Sequence, residues 1–327
     1  MHVAFYAGGG LGGIAAAVAE VEGLVPVLEA ADDAAGLARV WRLLFGLYGT
    51  SGHYDQAGQA AQRVIDFATR ASDVRLVGSG IVNYSICALH GPTSVTEALA
   101  RCEELVIQVH DDRKAEAVVL SVLAVLYAMD GQLDRARMLA ARSQENMIEL
   151  GSSMTGASTS VESTRVEMLA ANPVAAAADL RRDHDALAAM GETYFRSSIG
   201  GLLGHAYWAL GDFEEAERFA AVGEDLADAD DVDSQVIWRS VRSKLLARDG
   251  KTDDAVALAE NAVELARGTD DIEQQADALR DLAEVLAITG AQSEGPPLRE
   301  ALELYVRKGD VIQAERIRGR LVDASVA

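Results

Sequence analysis

After Glu29 the apolar residues of this 327-residue chain fall at helical spacing in every segment. The segments are punctuated at Gly52, Gly91, Gly131, Asn172, Gly211, Gly250 and Gly290, each about 40 residues beyond the last. A second series of breakers falls between them, at Ser72-Asp73, Asp111-Asp112, Gly151, Gly191, Asp230-Asp231, Asp270-Asp271 and Gly309-Asp310. The unit this predicts is helix, turn, helix, turn, repeated about seven times. In such an array each helix pair buries its apolar face against its neighbours, so the architecture is an all-α solenoid rather than a layered domain.

The segment 203 to 223, LGHAYWALGDFEEAERFAAVG, places Leu203, Gly204, Tyr207, Gly211, Phe213, Ala216 and Gly223 at tetratricopeptide spacings. Small residues on one helix let the next approach closely, and aromatics fill the space beside the turn. Leu123, Ala124, Tyr127, Gly131, Leu133 and Ala136 repeat the pattern, as do Leu246, Gly250 and Ala255. Gly91-Pro92 and Asn172-Pro173 read as helix starts. Gly295-Pro296-Pro297 predicts a late second helix in the seventh pair, starting near Pro297 or Leu298. Val311 to Leu321 reads as an amphipathic capping helix. The expected division is a leader and N-terminal helix over 1–31, repeats over 32–310, and a capping helix with tail over 311–327.

Half the residues are hydrophobic but only 5% are aromatic, which implies a core of Ala, Leu and Val. Against 29 basic residues stand 51 acidic ones, a formal charge of −22. A surface this negative repels phosphate backbones and anionic lipid, which argues against nucleic-acid and membrane partners. No run of 18 apolar residues and no basic region ahead of an apolar one is present, so the cytoplasm is the expected compartment. Cys87 and Cys102 carry no metal-ligand or redox spacing and read as buried thiols.

One stretch imitates a dinucleotide site. Gly8, Gly10 and Gly13 follow a short apolar run, with Glu29 at about the ribose-binding distance. That reading needs strands near 3–6 and 24–28. The competing one is a glycine-rich leader into a helix from Ile14 to Val21, followed by a segment from Val25 to Ala31. No HExxH, Walker-type or G-x-S-x-G motif occurs, so neither catalytic residues nor a metal or cofactor is expected.

Stacked first helices create a concave groove, and positions 13, 10, 6, 3 and 2 residues before each turn are expected to face it. In the first four repeats these give Arg39 and Arg42, then Gly78, Ile81 and Ser85, then Val118, Ser121 and Val125, then Glu162 and Val166. The fifth and sixth add Ser198, Gly201, His205, Trp208, Ile237, Ser240, Lys244 and Arg248. The aromatic ring, imidazole and two cations of this last group predict a site for an anionic or acidic peptide ligand.

Several segments resemble the C-terminal tetratricopeptide region of actinobacterial regulators that carry an adenylate cyclase domain and an AAA-type signalling ATPase. They are GLARVWRLL at 36–44, GPTSVTEALARCEEL at 91–105, LYAMDGQLDRAR at 126–137, DDVDSQVIWRSVRSKLLARDG at 230–250 and ALELYVRKGDVIQAERIRGRL at 301–321. The resemblance implies a sensor or docking platform, as in maltose-regulator-like activators. It carries over no catalytic function, because the metal-binding aspartates of a cyclase and a phosphate-binding loop are both missing from the sequence. The function expected is a non-catalytic regulatory scaffold of a bacterial signalling system. Its expected partner is a protein or peptide, including a cyclase or ATPase domain. A small-molecule effector and nucleotide binding through the N-terminal glycines are the alternatives, and self-association through an end helix is compatible with both.

Overall fold

Aspartates start the helices. Asp33, Asp73, Asp112, Asp231 and Asp271 each stand at the N-cap of the first helix of a pair, accepting a backbone N–H two or three residues on. Each satisfies a donor that the helix itself leaves unpaired. The periodic glycines end the helices, with φ of +72° at Gly52, +83° at Gly131, +75° at Gly211, +78° at Gly250 and +64° at Gly290. Gly91 differs: its φ is −77°, and a Cβ there would lie 2.7 Å from the Cys87 carbonyl oxygen. It is glycine for space rather than for backbone conformation.

The computed structural model describes residues 14–151 and 153–326, and side chains within 14–151 and 161–322. Two short helices, α1 (Ile14–Glu22) and α2 (Val25–Ala30), lead in. The first three pairs are α3 (Ala34–Thr50) with α4 (Tyr54–Arg70), α5 (Val74–His90) with α6 (Val95–Gln108), and α7 (Arg113–Met129) with α8 (Leu133–Glu149). Next come α9 (Ser153–Leu169) with α10 (Pro173–Ala189), and α11 (Tyr194–Leu210) with α12 (Phe213–Leu226). The last pairs are α13 (Val232–Arg248) with α14 (Thr252–Arg267) and α15 (Ile272–Thr289) with α16 (Gly295–Lys308); α17 (Val311–Val326) covers the end. The architecture is a tetratricopeptide-like α-solenoid of seven helix pairs and a C-terminal capping helix. None of the described helices is long and apolar enough to cross a membrane.

Two expectations need correction. The strand required at 24–28 is absent, because those residues enter and form α2; Gly8, Gly10 and Gly13 lie outside the described residues. The second helix of the seventh pair starts at Gly295, earlier than its prolines suggested. Both prolines fall in the first turn, where the N–H they lack has no intrahelical partner.

Small residues set the packing. Ala57, Ala60, Ala61 and Ala68 of α4 are wholly buried. In α11, a Cβ on Gly201 would meet Ile237 Cγ2 at 2.5 Å, so α13 approaches closer than alanine allows. On α17, Ala314 and Ile317 join Leu298, Ala301 and Tyr305 of α16 in one apolar cluster.

The array curls until its two ends meet. The Asp270 carboxylate accepts the N–H groups of Tyr54 and Asp55 at 2.7 and 2.8 Å, capping an α4 that has no side-chain cap of its own at His53. Lys308, fully buried, donates to the carbonyls of Ala88, Gly91 and Thr93 at 3.2, 2.7 and 3.0 Å, at the C-terminal end of α5. Ile312 of α17 packs against the α5–α8 core. This closure buries what an open groove would expose. Ile81, Ser85, Val118, Ser121 and Val125 are at most 9% exposed, and the Ser121 hydroxyl is spent on the Val118 carbonyl at 2.8 Å.

Candidate functional site

The closed array encloses a cavity of about 660 Å³. First helices of successive pairs form its wall, because residues three or four apart share a helix face. From α11 come Ser198, Leu202, His205 and Trp208; from α13, Asp233, Ile237, Ser240 and Lys244; from α15, Asp277, Arg280, Asp281 and Glu284. Thr164, Arg165 and Met168 of α9, His90 at the end of α5, Asp271, Glu273 and Gln274 at the start of α15, and Gln313, Arg316 and Arg320 of α17 also line it.

The cations here are already committed. Lys244, 3% exposed, has its Nζ 3.4 Å from Asp281, 3.5 Å from Glu284 and 3.4 Å from His205 Nδ1, and 5.5 Å from the centre of the Trp208 ring. Trp208 Nε1 donates to Glu284 at 2.8 Å. Burial, reinforced by the neighbouring Lys244 charge, pushes the His205 imidazole down to about 3, so it is neutral near pH 7. Nδ1 then faces the ammonium as acceptor, and Nε2 carries the hydrogen on the side of Asp281. Burial would raise Asp281, but Lys244 and Arg280 outweigh it and hold the carboxyl well below its usual range. An anion entering at Lys244 would have to displace a carboxylate that the protein supplies itself.

Carboxylates are in excess at the N-terminal ends of α13 and α15. Arg165 pairs with Glu273 at 2.5 Å and His90 with Asp271 at 3.2 Å. Asp233 accepts the neutral Gln274 amide at 2.5 Å and makes no ion pair among the described residues. Burial, with Asp231 beside it, pushes the Asp233 carboxyl up to about 6.

Of the residues singled out from sequence, the structure brings His205, Trp208 and Lys244 together on this wall. Arg248 lies elsewhere, its guanidinium 4.0 Å over the Phe213 ring in a separate surface depression. Glu162 does not line the cavity; its Oε2 has no partner among the described residues, and burial raises its carboxyl. Arg39 and Arg42 stand exposed on α3, outside the cavity lining. Asp277, Arg280 and Glu284 were not singled out, although they sit 13, 10 and 6 residues before Gly290; the groove offsets reach them once extended to the seventh repeat. Arg316 and Arg320 belong to a helix outside the repeat period, so no offset could find them.

Among the described residues no cluster could hold a metal ion. Both cysteines are buried free thiols, and burial pushes Cys102 up to about 11, far from the thiolate a nucleophile needs.

No protein-family model and no curated protein sequence matches the chain. Solved structures do match its fold. A Rap protein complexed with competence and sporulation factor superposes with a TM-score of 0.53 at 13% identity, over 95% of this chain and 97% of that one. The apo form of the quorum sensor NprR from B. thuringiensis gives 0.50 at 13% identity, over 90% and 80%. A signal-transduction ATPase (STAND) protein with a tetratricopeptide repeat sensor, from Pyrococcus horikoshii, gives 0.55 at 14% identity; there 91% of this chain spans only 50% of the larger protein. At these identities the likeness is one of fold.

Proposed function

We propose that this chain is a non-catalytic regulatory module of a bacterial signalling system, which takes a peptide or a short segment of a partner into its axial cavity. The observation that carries the reading is the cavity itself. Its volume of about 660 Å³ lies within the range of ligand sites, and its wall mixes apolar surface with many convergent polar and charged groups. The three solved structures of like fold support it, since one is complexed with competence and sporulation factor, one is a quorum sensor and one carries a tetratricopeptide repeat sensor. The sequence resemblance to cyclase and ATPase regulators suggests which output domain such a module would control. The size of the cavity also suits a small-molecule effector.

The test is to purify the protein from its native lysate, release what it holds with acid, and identify it by mass spectrometry. Ala209→Trp, at an exposed position on the cavity wall, serves as the blocked control. One species at roughly equimolar amount is expected with the unaltered chain and none with the variant, and its mass distinguishes peptide from metabolite. Recovery of the same material from both would remove the cavity from the explanation.

A further inference from the structure

Behind Asp233 the cavity adjoins a second pocket of about 100 Å³. Asp233, Gln274 and Ser198 belong to both linings and form the partition. The small pocket has Asp231 and Asp233 in its wall and no lysine, arginine or histidine. In the large cavity each lysine and arginine already has an acceptor. Lys244 and Arg280 share Asp281, Arg165 has Glu273, Arg316 has the Leu169 carbonyl and Arg320 has Glu294. Among the described residues Asp233 is the cavity carboxylate without an ion pair; Asp271, which also meets none of these cations, has His90. A second, independent observation comes from another helix that lines the large cavity, α9. Thr164 is 2% exposed, lines the cavity, and its hydroxyl has no hydrogen-bond partner among the described residues.

A half-buried carboxylate without a cation costs stability, and a buried hydroxyl without a partner adds to the cost. Both costs vanish if a ligand supplies the missing groups. From this geometry we infer that the small pocket receives an alkyl-ammonium group of the cavity's ligand, with Asp233 as its counter-ion. An ammonium has three N–H donors. The Asp233 carboxylate, the Ser198 hydroxyl and the Gln274 side-chain oxygen surround the entrance as acceptors, and Thr164 meets a polar group on the ligand's body. The inference rests on the cavity being a ligand site, as proposed above. Two sources present this chemistry: the free N-terminus of a peptide and an amine of a polyamine.

The full chain is dialysed against two pools of random hexapeptides lacking lysine and arginine, one with free N-termini and one N-acetylated, and separately against spermidine. Bound material is quantified for the unaltered protein and for Asp233→Asn, which keeps an oxygen for the Gln274 amide. The expected result is retention from the free-amine pool about ten-fold above the acetylated pool. Asp233→Asn abolishes that retention while raising the Tm of the ligand-free protein, because it removes the unpaired charge. Retention of spermidine but of neither pool upholds the ammonium pocket and assigns it to a polyamine. Equal retention of both pools overturns the ammonium inference and leaves a peptide cavity standing. Binding unchanged in Asp233→Asn, or lost together with a fall in Tm, also overturns it. No retention of any probe overturns the ammonium inference, while the ligand reading of the cavity is decided separately by the material released from the lysate-purified protein.

Discussion

Asp310 shows at the scale of one residue how this chain uses buried acids. It is fully buried at the start of α17; Oδ1 accepts the Gln313 N–H at 2.8 Å, and Oδ2 has no partner among the described residues. Burial, with Glu273 nearby, pushes its carboxyl up to about 8. The folded chain therefore holds a proton that the unfolded chain releases near pH 4, and stability falls as pH rises from there to about 8. Asp233, raised to about 6, adds a slope of the same sign over the lower part of that window, and His205, pushed down to about 3, opposes the two up to about pH 6.5 without reversing their sum. Lys308, pushed down to about 8 by burial, acts above it: there the folded chain sheds a proton the unfolded chain keeps, and stability recovers. Thermal unfolding is expected to give a lower Tm at about pH 8 than at about pH 5. Asp310→Asn keeps the cap oxygen and should flatten the slope by on the order of 2 kcal/mol across that range. A variant with the slope of the unaltered chain would show that Asp310 is ionised throughout.

At the scale of the helix, one end of α4 depends on a residue from the opposite end of the molecule. Asp270→Ala removes the acceptor for both the Tyr54 and Asp55 N–H groups. The expected cost is about 1 kcal/mol, with faster amide exchange confined to the first turn of α4. Exchange that quickens evenly along the chain would instead mean general destabilisation. The helices were legible in the sequence because their signals are local. Each periodic glycine ends a helix, Asp73, Asp112, Asp231 and Asp271 of the second series each cap one, and Pro26, Pro173, Pro296 and Pro297 fall in first turns, while Pro92 stands in the loop before α6. The cap on α4 was not legible, since nothing near His53 announces Asp270. Part of the burial of α7 was legible: VVLSVLAVLYAM over 118–129 is apolar on every face, the mark of a helix with no solvent side. Applying one groove rule to all repeats placed Ser121 in the open because that rule assumes an unclosed solenoid. His205, Trp208 and Lys244 obey it because α11 and α13 lie where the curl leaves a space, and Arg39 and Arg42 precede that space.

At the scale of the whole molecule, closure and ligand binding are two aspects of one equilibrium. A chain with a formal charge of −22 repels itself, yet its last helices are held on its first repeats through buried contacts that salt screens poorly. Lys308 is the chief of these, its ammonium shared among three carbonyls. Lys308→Met keeps much of the volume but leaves those carbonyls without their donor, at a cost of about 2–4 kcal/mol. The radius of gyration from solution scattering is expected to rise, with amide exchange quickened around Ala88 to Thr93. Lys308 does not line the cavity, but the cavity wall spans the closure, with His90 on one side and Arg316 on the other. A ligand that touches both sides binds the closed form better and so favours closure, and by reciprocity closure raises its affinity. Lys308→Met should therefore weaken binding of whatever the cavity retains by roughly 5- to 150-fold, without removing a single ligand contact. Saturating ligand should return the variant's radius of gyration toward that of the unaltered chain. Undiminished affinity in an expanded variant would mean that the cavity is complete on one side of the closure alone, and that the two ends meet only for stability.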